Sequence, residues 1–254
     1  MPRTMMAATL LACLTFTAGC GGSSPDASST PPAAAPTTTE AAPTTPASEL
    51  EGLSAAEVWE KLESDVGKAK SVHLSANVVD GKDRIKFNMK LASSGNATGT
   101  MTNNGDTVNL RRIGKTLYFK GDRGFWTNNV DPASAKTMAG KWIKTTKGKV
   151  AGMEGIFVFT DLDSMLKESL KTTPAEKKAL KIIPGIPVDG QETIGLSTKS
   201  ADLDQLYAAA TGPTLPLKIT AAKDKKQFMK FQDWDKDFTV EKPAGAIDIN
   251  AGAS

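Results

Sequence analysis

From Val72 onward, apolar and polar residues take turns. Val72, Leu74, Ala76 and Val78 are interleaved with His73, Ser75 and Asn77. Beyond Asp80-Gly81, Ile85, Phe87, Met89 and Leu91 alternate with Arg84, Lys86, Asn88 and Lys90. Successive strand side chains point to opposite faces, so the pattern predicts antiparallel strands with one dry and one wet face. Asp-Gly between two such runs is a hairpin signal. Strands are expected to continue over residues 97–102, 107–113 and 116–120, with turns at Asn103-Asn104-Gly105 and Gly114-Lys115. The pattern returns over residues 191–200, 203–210, 215–221, 227–234 and 238–240.

Helical signals frame these strands. Ser54-Ala-Ala-Glu57 has capping-box spacing, with Leu53 and Val58 placed as a hydrophobic staple. The helix that follows carries Ala55, Val58, Trp59, Leu62, Val66 and Ala69 on one stripe and is expected to end near Lys70. Asp131-Pro132 opens a short helix that Gly140 ends. Residues 142–144 read as a short strand. Thr160 or Asp161 opens a helix with Leu162, Met165, Leu166 and Leu170 inward, and Thr173-Pro-Ala-Glu176 caps another that runs to about Lys181. Strands outnumber helices by about two to one, and a long one-sided meander curls rather than lying flat. The expected architecture is α+β: a curved antiparallel sheet with helices across its concave face. Between the layers lies either a packed core or an elongated apolar cavity.

The first 48 residues cannot join that core. Arg3 is followed by an apolar stretch from Met5 to Phe16, 12 residues long, whereas a bilayer span needs roughly 20. Residues 1–19 read as an export signal. Thr17-Ala18-Gly19-Cys20 resembles the lipobox of bacterial lipoproteins, with Thr17 where Leu is usual. That resemblance implies a thioether-linked diacylglycerol on Cys20, whose thiol supplies the nucleophile. The competing reading is a plain secretory signal with an incidental Cys. Residues 21–48 are almost wholly Gly, Ser, Ala, Pro and Thr. They bury nothing and read as a disordered tether, about 85 Å long at ~3.1 Å per residue. No second linker follows, so residues 49–254 are expected to form a single domain.

Composition narrows the function. Of 254 residues, 39% are hydrophobic, and Lys plus Arg (31) nearly balances Asp plus Glu (28). With five Arg and 6% aromatics, no nucleic-acid surface is expected. Cys13 and Cys20 both lie in the first twenty residues, and His73 is the only histidine. The folded segment therefore has no disulfide, no Cys nucleophile and no Cys/His zinc site. A binding protein without catalytic residues, metal or cofactor is expected. Residues 49–254 carry a formal charge of +4.

An ordered set of turns and aromatics then points to a family. Lys70–Leu74 leads into the Asp-Gly hairpin. Gly114-Lys-Thr-Leu-Tyr-Phe-Lys-Gly121, Phe125-Trp126 and Gly140-Lys-Trp-Ile143 follow. Near the end stand Leu206-Tyr-Ala-Ala-Ala-Thr-Gly-Pro-Thr-Leu-Pro-Leu-Lys-Ile219 and Phe231-Gln-Asp-Trp234. This order resembles actinobacterial lipoproteins with the LolA-like fold, of the mycobacterial LppX/LprG type. The resemblance spans residues 49–254 together with the lipobox and tether. It implies a U-shaped half-barrel with a hydrophobic cavity for acyl chains, no cofactor, and a lipid or lipoglycan ligand. It also implies attachment to the outer face of the cytoplasmic membrane through lipidated Cys20. The chain is expected to be a monomer. The alternative is a surface interaction module whose cleft is filled by its own side chains.

The cavity candidates are apolar residues on predicted inner faces. From the strands come Leu74, Phe87, Met89, Met101, Leu110 and Leu117, with Phe119, Trp142 and Leu217. From the middle of the chain come Trp126, Phe157, Phe159, Met165 and Leu166. Met153 and Met229 belong to the same apolar set. Met adapts to flexible chains, but for any one of these residues ordinary core packing is the simpler reading. His73 has no nucleophile motif beside it. Asp233, Asp235 and Asp237 begin like a calcium loop, yet Phe238 stands where Gly is needed and Ala244 where Glu is needed. Asp161 and Asp163 fit helix-start carboxylates. Lys136, Lys141, Lys144, Lys147 and Lys149 lie in an acid-free stretch and read as a solvated loop, with anionic headgroups at a cavity mouth as the competing partner.

Overall fold

The computed structural model describes residues 49–146, 154–197, 205–221 and 223–250. Twelve strands among these join in one open sheet, and six helices accompany it. Helix α1 (Ala55–Val66) begins at Ser54, whose hydroxyl accepts from the Glu57 N–H while the Glu57 carboxylate accepts from the Ser54 N–H. The helix stops before Lys70: after Gly67, still bonded to the Glu63 carbonyl, the Lys68 and Ala69 N–H groups bond only three residues back, to Asp65 and Val66, and the last turn tightens.

Five hairpin-linked strands follow: β1 (Ser71–Asp80), β2 (Asp83–Ala92), β3 (Ala97–Asn103), β4 (Asp106–Ile113) and β5 (Thr116–Gly121). Asp80 pairs with Asp83, so Gly81-Lys82 is a two-residue turn, and Gly81 has the positive φ (59°) that such turns require. Val72, Leu74 and Ala76 face inward beside Phe87, Met89 and Leu91, as the alternation predicts.

The middle of the chain supplies the second layer. Helix α2 (Arg123–Asn129) is not among the expected helices; Asp122 caps it, accepting from the Phe125 N–H at 2.7 Å. Helix α3 (Pro132–Met138) is capped by Asp131, as expected. Strand β6 (Ile143–Thr146) pairs with β5. Helix α4 (Glu154–Phe159) is not among the expected helices, being too short and too apolar to show a period. Helix α5 (Leu162–Ser169) is capped by Asp161, and α6 (Pro174–Ala179) by the Thr173–Glu176 box.

Strands β7 (Lys181–Ile183), β8 (Thr193–Ser197), β9 (Gln205–Ala209), β10 (Pro216–Thr220) and β11 (Phe228–Gln232) complete that side. Residues 198–204, part of two expected strands, lie outside the described residues. The strand expected over residues 238–240 does not form. Instead the chain crosses the outer face of the sheet: Ser71 Oγ donates to the Lys236 carbonyl, and Arg111 donates to the Glu241 carbonyl. It then adds β12 (Ile247–Asp248) parallel to β6. The sheet order is β12-β6-β5-β4-β3-β2-β1-β11-β10-β9-β8-β7, antiparallel except at β12.

The main core lies between sheet and helices. Val58, Trp59 and Leu62 of α1, Phe125 and Trp126 of α2, and Leu162, Met165 and Leu166 of α5 bury against the inner strand residues. A smaller cluster of Val188, Tyr207, Ala209 and Leu217 sits apart from it. All described elements belong to one compact unit, Thr45–Ser254.

Candidate functional site

A cavity of about 440 Å³ opens between the two layers, within the roughly 300–1,000 Å³ of small-ligand sites. Its floor is apolar and buried: Trp59 from α1, Phe87 from β2, Met165 from α5, Leu206 from β9, Ile219 from β10 and Met229 from β11. Phe159 of α4 stands over Phe87 with ring centroids 6.1 Å apart. The rim mixes exposed Val158 with Glu168 and Lys171 on the helix side, and Val79, Ile85 and Gln227 on the sheet side. Such an arrangement holds flexible apolar chains by area, with few polar groups to fix an orientation.

The α4–α5 wall is held by one polar clasp. Arg112 of β4 donates to Asp161 Oδ2 (3.1 Å), to the Thr160 carbonyl (3.2 Å) and, through Nε, to the Gly114 carbonyl (2.8 Å). Partial burial pushes the Asp161 carboxyl up, but hydrogen bonds from Ser164 and Arg112 outweigh it and hold the group below its ordinary 3.8. Asp161 is the cap that the sequence indicated; its Arg112 partner lies 49 positions away and carried no local signal.

Of the sequence candidates, Phe87, Phe159 and Met165 line this cavity. Leu74, Met89, Leu110, Leu117 and Phe119 are at most 1% exposed and pack in the core between the layers. Trp126 and Phe157 are buried in that core and Met101 packs against it; Trp126 joins an aromatic group with Phe119 and Phe125. Leu166 lines a second, shallower cavity of about 420 Å³ between α1 and α5. Trp142 and Leu217 lie elsewhere. Trp142 covers Arg111 and Lys120 on the outer face, with the cations 5.0 and 5.2 Å from its ring centroid. Leu217 falls in a register shift between Pro216 and Lys218, which turns it from the inner face to the cluster with Tyr207 and Val188. Cys20, Met153, Lys147 and Lys149 lie outside the described residues.

Met229, from the same apolar set, lines the cavity too, together with Trp59, Leu206 and Ile219, which are not among the sequence candidates. The helical stripe marks Trp59 as inward and the strand alternation marks Ile219, but which inward residues meet open space is decided by where α4–α6 lie.

The polar candidates have structural partners. His73 Nε2 is 2.8 Å from Asn88 Oδ1, and its Nδ1 is 3.5 Å from Asp233. Asp235 accepts from the Lys70 N–H at 2.6 Å and Asp233 pairs with Lys236 at 2.7 Å, which pins the start of the outer crossing. Among the described residues no group of three or more His, Cys, Asp or Glu is placed to hold a metal ion. Lys144 pairs with Asp248 across β6 and β12.

No known family profile matches the sequence, and no curated protein matches it. Solved structures do. LprF from Mycobacterium bovis superposes with a TM-score of 0.51 at 13% identity, covering 75% of this chain and 97% of that one. The Mycobacterium tuberculosis lipoprotein LppX gives 0.44 at 11% identity, covering 74% and 98%. The LolA superfamily protein NE2245 from Nitrosomonas europaea gives 0.23 at 9%, covering 74% and 96%. At such identities the likeness concerns the backbone alone, and it is carried by LprF. The open antiparallel sheet with helices against one face is thus the fold of LprF.

Proposed function

We propose that this protein is a lipid-anchored, extracytoplasmic binding lipoprotein that holds a lipid or other hydrophobic ligand between sheet and helices. The cavity over Trp59, Phe87, Met165, Ile219 and Met229 carries this reading. Burial of each ligand CH₂ there contributes about 0.8 kcal/mol. The apparent lipobox at Cys20 and the tether over residues 21–48 supply attachment to the cytoplasmic membrane and reach from it. The clustered pocket residues are apolar and their neighbours are structural, which supports binding rather than catalysis. Handing the ligand onward would make the protein an envelope lipid carrier.

The test is mass spectrometry of organic extracts from the purified chain beginning at Gly21. The proposal expects a co-purifying lipid. Met165→Trp, which fills the cavity, should lower its occupancy several-fold while leaving the circular dichroism spectrum unchanged. Absence of extractable lipid together with no uptake of a hydrophobic dye would sink the carrier reading and leave the interaction module with a filled cleft.

A further inference from the structure

The sheet side of the cavity rim is rich in exposed cations. It is formed by two adjacent tips: the β1–β2 hairpin and the turn between β10 and β11. They are tied together, since Asn77 Nδ2 donates to the Lys226 carbonyl (2.7 Å), Arg84 donates to Asn77 Oδ1 (3.3 Å), and the Val79 N–H donates to Gln227 Oε1 (3.1 Å). Val79, Ile85 and Gln227 of these tips line the cavity itself. The same tips present six exposed cations: Lys82, Arg84 and Lys86 on the hairpin, and Lys223, Lys225 and Lys226 on the turn. Among the described residues none of the six is in an ion pair.

The carboxylates nearby do not neutralise this charge. Asp80, Asp83 and Asp224 share the two tips, leaving three cations in excess. Asp83 is bonded to Asn104 (2.6 Å), and Asp224 accepts from the Lys226 N–H (3.0 Å) and from Gln227 (3.4 Å). The helix side of the rim is balanced instead: Glu168 faces Lys171 at 3.7 Å, and Glu176 closes the cap of α6. Exposed cations cost little in water, but five lysines and Arg84 beside an apolar opening match an anionic, apolar-cored partner in both charge and polarity.

We propose that these two tips are a docking surface for an anionic lipid bilayer, seating the sheet side of the cavity mouth against the headgroups so that an acyl chain passes into the cavity without crossing water. The proposal rests on the lipid-binding reading and adds where the membrane is met. Lys136, Lys141 and Lys144, from the acid-free stretch of the sequence, lie on α3, the link after it and β6, not on these tips. With the proposed anchor at Cys20, the 28 residues between it and residue 49 are long enough for either end of the domain to meet the bilayer.

The experiment is co-sedimentation of the chain beginning at Gly21, without its acyl anchor, with vesicles of equal parts phosphatidylglycerol and phosphatidylcholine. Vesicles of phosphatidylcholine alone serve as the comparison. Each Lys or Arg near an anionic surface strengthens binding by about fivefold. The triple variant Lys223→Glu, Lys225→Glu, Lys226→Glu should bind the anionic vesicles at least about tenfold more weakly. The double variant Lys82→Glu, Arg84→Glu should weaken binding too, and raised salt should do the same to the unaltered chain. Lys136→Glu with Lys141→Glu should have no effect. Binding of both variants to anionic vesicles as tightly as the unaltered chain overturns the proposal, as does binding no better to anionic than to neutral vesicles. Extracted lipid is measured in the same samples. Vesicle binding without bound lipid would preserve the docking surface and remove the carrier; bound lipid without vesicle binding would do the reverse.

Discussion

Gly99 sits in the middle of β3, opposite Met89 on one side and Leu110 on the other. Its φ is +156°, and an added Cβ would stand 2.0 Å from the Asn88 carbonyl oxygen and 2.8 Å from the Met89 Cα. Both obstacles are backbone, so a side chain here must part β2 from β3. Gly99→Ala should therefore cost more than about 3 kcal/mol, read as a large fall in the urea midpoint. A midpoint within error of the unaltered protein would show that the strands separate easily. Leu217 makes a related point at the same scale. Strict alternation places it with Ile219, but one bulged residue reverses its face. A bulge is decided by the pairing of β9 with β10, and no residue type within the run 215–221 announces it.

Among the elements, α5 depends on both a local and a remote contact. Its cap, Asp161, follows from the residues beside it, whereas the Arg112 clasp comes from β4. Because the folded Asp161 carboxyl is held below its ordinary 3.8, its stabilisation is complete above that value and is lost as pH falls through the lowered one. Urea stability should thus decline from about pH 4 downward. Asp161→Asn keeps the capping oxygen but not the charge, so its acid decline should be shallower; an unchanged slope would show that this carboxylate does not titrate with unfolding. The six helices differ in legibility for physical reasons. Caps at Ser54, Asp131, Asp161 and Thr173 are short-range hydrogen bonds written in adjacent residues. Helices α2 and α4 are seven and six residues long, and neither is long enough to display a 3.6-residue period.

Taken as a whole molecule, the chain places its cavity between elements far apart in sequence, from Trp59 of α1 to Met229 of β11. The proposed attachment through Cys20 is tested separately from the cavity. Cys20→Ala should move the protein from the membrane fraction to the soluble one, or leave it unprocessed; fractionation and fatty-acid labelling unchanged from the unaltered protein would mean that Cys20 is not the anchor. The α+β class, the one-sided strands from β1 to β5 and four helix starts were all readable from residues alone, because burial periodicity and capping act over two to four positions. The edge strand β12, the outer crossing that replaces the expected strand at 238–240, and the choice of which inward side chains face open space were not. They depend on how helices seat on a sheet and how strands register against one another, and those contacts join residues tens to more than a hundred positions apart.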